Sequence, residues 1–297
     1  MPIQEDLHSA YTTYYTHVPA PDSLAYRFRQ RVKRGYAGLA YGYVQRVSLL
    51  DRFLALPMVF LPSIREQAVA SGLMYLRGER TGRLLEIGCG SGAYLVGMRQ
   101  LGWQVEGIDT DPKAIEIARN NYALDVQQGA LEELNYPSSK FDAVVMCHVL
   151  EHVHDPRTLL SECCRILVPG GTLVITTPNI RSLGHRGFRS AWVPLDPPRH
   201  LHLFSLPALR NVVTCSGLKP VTLRSTTRYA RGVWILSEYI RRDGMTRMDR
   251  KGNWRMKLRA AVFRSLEALS LLFDEVAGEE LLLIASKSGN GGGKKSE

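Results

Sequence analysis

The sequence predicts an α/β protein built on a doubly wound, mostly parallel sheet whose last strand is antiparallel. Three observations predict it: short β-branched runs alternate with helices between residues 83 and 178, a glycine-rich turn follows the first run, and an acid ends the second. The runs are 84–88, Gln104–Asp109, Asp125–Gln128, Phe141–Cys147 and 172–177. A helix between consecutive strands is the crossover that parallel neighbours require. The helices are expected to start at Gly92, Asp111, Asp155 and near Ser205. Asp111-Pro112 and Asp155-Pro156 each place a capping acid before a proline at the first helical position.

Around this core the pattern differs. Residues 1–80 are rich in Tyr and Arg, with helical spacing at 24–50 and 64–76 and no strong strand signal, and are expected to form a helical N-terminal cap. The sheet core is expected at 81–227 and 279–287, with a strand near 219–224 and the last at 279–287. A basic helical insertion is expected at 228–278. Its second helix carries Leu258, Val262, Leu266, Leu269 and Phe273 as one apolar stripe, open to the core, a partner or a membrane. The last residues, 288–297, have too little apolar content to fold and are expected to be disordered.

The chain has 297 residues, 45% of them apolar and 22% charged, enough to bury a full core in one large domain or in one domain with a small accessory. Cys89, Cys147, Cys163, Cys164 and Cys215 make an odd count without CxxC pairs, which argues against a disulfide framework or a zinc ribbon and for a reducing compartment. The N-terminal Met-Pro-Ile-Gln-Glu-Asp lacks the basic and apolar regions of a secretory signal, so a cytoplasmic protein is expected. The longest apolar run, 53–62, is half of the roughly 20 residues needed to cross a bilayer. The formal charge is +10, and much of it sits at 228–264, where eleven Arg or Lys face three acids. A second cluster comprises Arg27, Arg29, Arg31, Lys33 and Arg34. Such fields attract phosphates, nucleic acid or an acidic membrane, or serve only as a solvated face.

Glu86-x-Gly88-x-Gly90-x-Gly92 follows an apolar strand and opens a helix. Glycines let the backbone turn sharply and approach a ligand, and the amides at the helix start offer a positive pole. The same letters satisfy GxGxxG/A through Gly88, Gly90 and Ala93, so the turn alone leaves NAD and S-adenosylmethionine open. Asp109 lies about 20 residues on, where an acid grips a ribose diol. At this point the chain resembles the class I S-adenosylmethionine-dependent methyltransferases, in the subgroup of ubiquinone-biosynthesis and polysaccharide or natural-product O-methyltransferases. The resemblance runs from Arg83 to Pro178 through Leu-Leu-Glu-Ile-Gly-Cys-Gly-Ser-Gly, Gly-Ile-Asp-Thr-Asp, Phe-Asp-Ala-Val-Val-Met-Cys-His-Val-Leu-Glu-His-Val and Leu-Val-Pro-Gly-Gly-Thr-Leu. Glu86 and the Pro169-Gly170-Gly171 turn are features that a dehydrogenase does not need.

The resemblance implies a Rossmann-like fold and S-adenosylmethionine as cofactor. Glu86 with Gly88, Cys89, Gly90 and Gly92 would hold its methionine portion, Asp109 its ribose hydroxyls, and Thr110 would also line the cofactor site. Ala130 and Leu131, after Gly129, would border the adenine, and Cys147 and His148 would lie under the cofactor. The family often has an acid beside the adenine amino group where this chain has Ala130, so that contact would come from backbone.

Methyl transfer from a sulfonium needs chiefly alignment of the acceptor, and a hydroxyl acceptor also benefits from a base. His148, His152 and His202 are the candidate catalytic residues, with His200 beside them, because an imidazole titrates near working pH. If His148, Glu151 and His152 share a helical turn, they could with His202 supply N and O donors to a divalent metal. That set resembles the metal sites of small-RNA 2′-O-methyltransferases and ubiquinone enzymes, but His148 stands where those families have glutamate, and the site is read without a metal. The sequence lacks the Asn/Asp-Pro-Pro-Tyr of enzymes that methylate flipped adenine and the Pro-Cys of cytosine C5 enzymes. Oxygen is therefore the expected acceptor atom, on an anionic small molecule or a lipid- or sugar-linked intermediate, with peripheral contact to the inner membrane surface. The alternatives are an RNA methyltransferase and a non-catalytic nucleotide-binding scaffold.

Overall fold

Side-chain caps mark most of the helix starts. A computed structural model describes residues 23–60, 66, 69, 72–245 and 252–289. Helix α1 (Leu24–Ala40) starts where Ser23 Oγ accepts the Tyr26 N–H, and α2 (Leu49–Ala55) where Ser48 Oγ accepts that of Asp51. Strand β1 (Arg83–Ile87) leads into α3 (Ala93–Gln100), and β2 (Gln104–Asp109) into α4 (Pro112–Tyr122), capped by Asp111 as expected. Next come β3 (Asp125–Gln128), β4 (Phe141–Cys147) and α5 (Pro156–Ile166), where Asp155 Oδ1 accepts the N–H groups of Arg157 and Thr158. Strand β5 (Leu167–Pro178) is followed by α6 (Leu183–Phe188), α7 (Leu206–Cys215) and β6 (Leu218–Thr226). The chain continues through α8 (Ala230–Asp243), α9 (Trp254–Ser270) and β7 (Glu280–Lys287). Most expected strands agree to within a residue or two. The exception is β5, which starts five residues before the expected 172. Pro169-Gly170-Gly171 lies inside it, Gly170 taking φ +78° at an exposed position.

The seven strands form one mixed sheet in the order β3-β2-β1-β4-β5-β7-β6. Strand β1 pairs in parallel with β2 and β4, and β2 with β3. Strand β7 runs antiparallel to β5: the Asn179 N–H, just past the end of β5, donates to the Glu279 carbonyl before β7 (3.0 Å), and Lys287 Nζ, at the end of β7, donates to the Leu167 carbonyl at the start of β5 (2.6 Å).

Of the described residues, those within Tyr14–Met146, Ser161–Val174 and Ser286–Glu297 form one compact unit, and those within Cys147–Leu160 and Ile175–Ala285 the other. In the first, Cys89, Leu95, Ile115, Ala118, Leu124 and Val126 pack together, and Tyr36, Ala55, Met58 and Val69 make a separate cluster. In the second, Phe188, Ala191 and Trp192 pack against Val233, Trp234 and Ile240. The tail expected to be disordered lies outside the described residues from 290 onward, as do residues 1–22 of the expected cap and 246–251 of the expected insertion. Among the described residues no helix is long and apolar enough to cross a membrane.

Helix α9 corrects one option held open for its stripe: it does not cover the core. Leu258, Val262, Leu266 and Leu269 are each more than half exposed, and the buried face is Met256, Ala260 and Glu267. Glu267 is fully buried and Glu279 nearly so, with Trp192 Nε1 (2.8 Å) and Ser182 Oγ (3.2 Å) donating to Glu279 Oε2. Burial, then the neighbouring Glu279, pushes the Glu267 carboxyl up to about 9, and burial pushes Glu279 up to about 7 against the donors Trp192, Ser182 and the Gly184 N–H. Both groups thus bind protons more tightly folded than unfolded, so they stabilise the fold at low pH and that contribution falls as pH rises from about 4.5 toward 9. Glu267→Gln should keep the neutral shape and flatten this decline. Melting temperatures between pH 6 and pH 9 check it: the wild type should lose more than the variant, by about 2–4 °C per kcal/mol of difference.

Candidate functional site

Strand β1 delivers a buried Glu86 and then the glycine turn. Gly88, Gly90 and Gly92 take φ of +71°, +52° and +80°, which L side chains rarely adopt. A Cβ on Gly92 would also come within 2.3 Å of Leu124 Cδ1. The N–H groups of Gly88 and Cys89 both donate to the Ile108 carbonyl (2.8 and 3.0 Å), which ties the turn to the end of β2. Asp109 completes the tie: Oδ2 accepts the Gly90 N–H (2.8 Å), Oδ1 the Asp111 N–H (2.9 Å), and its carbonyl the Gly129 N–H (3.0 Å).

These bonds bring Glu86, Gly88, Cys89, Gly90, Asp109, Thr110 and Ala130 into one stretch of the first unit. Burial raises the Asp109 carboxyl against the three backbone N–H groups that lower it. Each carboxylate oxygen has a second lone pair, so both can still accept from a ribose diol. Glycine amides without side chains in the way and an acid beside them suit an adenosyl ligand bearing a carboxylate. Thr110 is exposed. At Ala130 the backbone N–H is taken by Glu133 Oε2 (3.2 Å). Leu131 and Cys89 are buried, so what they offer a ligand is backbone, and burial raises the Cys89 thiol far above its ordinary value.

The second unit contains the tip of β4. Past Cys147, His148 takes φ +55°, its N–H donating to the Thr176 carbonyl (2.9 Å). Its ring is held at both nitrogens: Nδ1 is 3.0 Å from Glu151 Oε1, and Nε2 is 3.0 Å from Glu280 Oε1. Burial alone would lower its pKa, but the bonds to the two carboxylates outweigh this and hold it well above the ordinary value. A carboxylate at each ring nitrogen favours the protonated ring, which suits His148 to positioning better than to proton abstraction. Glu151 Oε2 accepts the Thr177 hydroxyl (2.9 Å), and Glu280 Oε2 that of Thr226 (3.1 Å). Arg228 Nη2 lies 3.2 Å from Glu280 Oε1 and 3.1 Å from Cys147 Sγ, and Tyr229 presents its ring to both Arg228 and His148. No local pattern in the sequence announces Arg228, Tyr229 or Glu280 as neighbours of His148, which is 132 positions from Glu280. The one signal is a pair of acids, Glu279 and Glu280, heading an otherwise apolar strand.

Residues 148–155 are turns rather than a helix, which changes the expected grouping. The Glu151 carbonyl accepts the N–H groups of Leu201 and His202 (2.8 and 3.1 Å), and this brings His200 to His152 with ring centroids 4.6 Å apart. One ligand atom each from Glu151, His152 and His200 lies within 4.8 Å of the others, so this trio, rather than the set with His148 and His202, could hold a cation. His152 Nδ1 bonds the Arg199 carbonyl (3.0 Å) and His200 Nδ1 the Pro194 carbonyl (2.7 Å), which turns both Nε2 atoms into the basic positions. Burial first, and then His200, holds His152 below its ordinary pKa against the pull of Glu151. His202 sits apart from the trio, its Nε2 at 3.4 Å from the His154 carbonyl and its ring beside Phe204.

Residues 62–223, more than half of the chain, match the family model described as a methyltransferase domain. The chain belongs to this family. Its matched domain is that of the class I methyltransferases, whose cofactor is S-adenosylmethionine. Over 150 residues it is 33% identical to a ubiquinone biosynthesis O-methyltransferase of Cereibacter sphaeroides, covering 47% of this chain and 61% of that protein. Over 168 residues it is 32% identical to the Xanthomonas campestris enzyme of the same name, covering 54% of this chain and 66% of that one. The chain thus spans about three fifths to two thirds of the length of these curated relatives. The [4+2]-cyclase SpnF has the same fold at a TM-score of 0.51 and 20% identity, covering 75% of this chain and 78% of its own.

Two consequences are measurable. Asp109→Ala removes the acceptor for the Gly90 and Asp111 amides, and should weaken S-adenosylhomocysteine binding in calorimetry by about tenfold or more, the loss of at least one charge-assisted bond. Glu280→Gln leaves His148 and Arg228 buried beside one fewer charge, and denaturant unfolding should show a loss of about 3–5 kcal/mol.

Proposed function

We propose that the protein transfers the methyl group of S-adenosylmethionine to an oxygen of a small-molecule, sugar- or lipid-linked acceptor, with His152 as the base. The observation that carries this reading is the state of His152. Its Nδ1 meets the Arg199 carbonyl, which places the lone pair of a neutral ring on the other nitrogen, and burial first of all lowers its pKa. His148, with a carboxylate 3.0 Å from each ring nitrogen and its pKa raised by those bonds, suits that part less well.

S-adenosylmethionine supplies a methyl already activated by its sulfonium and leaves as the neutral thioether, S-adenosylhomocysteine. The glycine turn and Asp109 would hold it by its carboxylate-bearing and ribose ends. His152 takes the proton of the acceptor hydroxyl as the oxygen–methyl bond forms, and His200 and the Glu151 carbonyl fix the loop that carries the ring contact. The relatives named as ubiquinone biosynthesis O-methyltransferases support oxygen as the acceptor atom.

His152→Gln should lower kcat by about 10²–10⁴-fold toward a phenolic acceptor, the usual contribution of a general base, while the affinity for S-adenosylhomocysteine stays within twofold or so. Activity of the wild type should survive dialysis against a chelator. Loss on chelation with rescue by added divalent cation would make Glu151, His152 and His200 metal ligands and overturn the role of His152 as base.

A further inference from the structure

Helix α9 is built the wrong way round for a helix facing water. At 100° per residue, Trp254, Leu258, Val262, Leu266 and Leu269 fall on one side, and that side points outward: they are 69%, 58%, 52%, 52% and 55% exposed. Leu272 and Phe273 extend the apolar surface past the helix end at 72% and 87% exposed. The single acid of the helix, Glu267, points inward and is fully buried. Of its four cations, Arg255 lies within the apolar arc and Arg259 at one edge of it, while Lys257 and Arg264 lie on the opposite flank. The next acid, Asp274, is paired with Arg186 at 2.9 Å, and Glu275 follows it beyond the apolar surface.

From this arrangement we infer that α9 is a membrane-docking helix, lying in the interface of an anionic phospholipid surface with Trp254, Leu258, Val262, Leu266, Leu269 and Phe273 in the acyl boundary. Water penalises an apolar stripe left open along a helix, and the interface of a bilayer removes that penalty without spanning. Basic flanks with no exposed acid on the helix complement phosphate headgroups. They also disfavour a second copy on the same face, because a two-fold contact would set four cations against four. Trp254 at the helix start, with Arg255 at 5.3 Å from its ring, is an aromatic of the kind that sits at headgroup depth. The inference concerns where the protein docks and stands apart from the reading of its acceptor.

Flotation of the full chain with vesicles tests it, using phosphatidylcholine alone and phosphatidylcholine mixed with phosphatidylglycerol. The wild type should float with the anionic vesicles, and the Leu258→Glu, Leu266→Glu double variant should bind them about tenfold or more weakly. Both positions are exposed, so the far-ultraviolet circular dichroism and melting temperature should hold. In the unaltered chain, lipids brominated in the acyl region should quench tryptophan fluorescence, and Trp254→Phe should remove that quenching. Equal flotation of wild type and double variant, no quenching, or light scattering that shows a wild-type dimer broken by the double substitution without flotation would each overturn the inference.

Discussion

The tip of β4 depends on one polar network: His148 and Arg228 against the buried carboxylates of Glu151 and Glu280. Each carboxylate also accepts a threonine hydroxyl, Thr177 on β5 or Thr226 at the end of β6. Charges taken out of water are costly unless paired and hydrogen-bonded, so no member of the quartet can be removed without stranding another. Through these bonds the last residues of β4, β5 and β6 and the first of β7 converge on one ring. The left-handed backbone of His148 is the local cost of aiming that ring between two acids.

The same logic, with backbone in place of side-chain cations, organises the other unit. Asp109 is a carboxylate solvated by amides, and in solvating it the glycine turn and the loop after β2 take their shape. The residue expected to touch the ribose therefore also holds the turn expected to touch the methionine portion. A carboxylate with two acceptor oxygens can do both, whereas an alanine or a lysine at that position could do neither.

The histidines show why residue type underdetermines role. His148, His152, His200 and His202 all lie in two short stretches and all were candidates on equal grounds. Their differences come from partners: two acids for His148, a carbonyl and burial for His152 and His200, and a weak carbonyl contact for His202. Helix α9 teaches a related point. Its period was plain in the residues, yet period tells which side chains share a face and not which way the face turns.

What the sequence determined by itself was everything carried by local physics. The strands and the helix caps at Gly92, Asp111, Asp155 and Ser205 were legible because caps, prolines and apolar runs act within a few residues. The cofactor turn was legible because positive φ and close approach demand glycine at Gly88, Gly90 and Gly92. The sheet order with β7 between β5 and β6, the burial of Glu267, the outward face of α9 and the grouping of Glu151 with His152 and His200 were decided only by the tertiary structure. Each of these joins positions far apart in the chain, and the energy of a buried charge or an exposed leucine depends on what the rest of the fold brings against it.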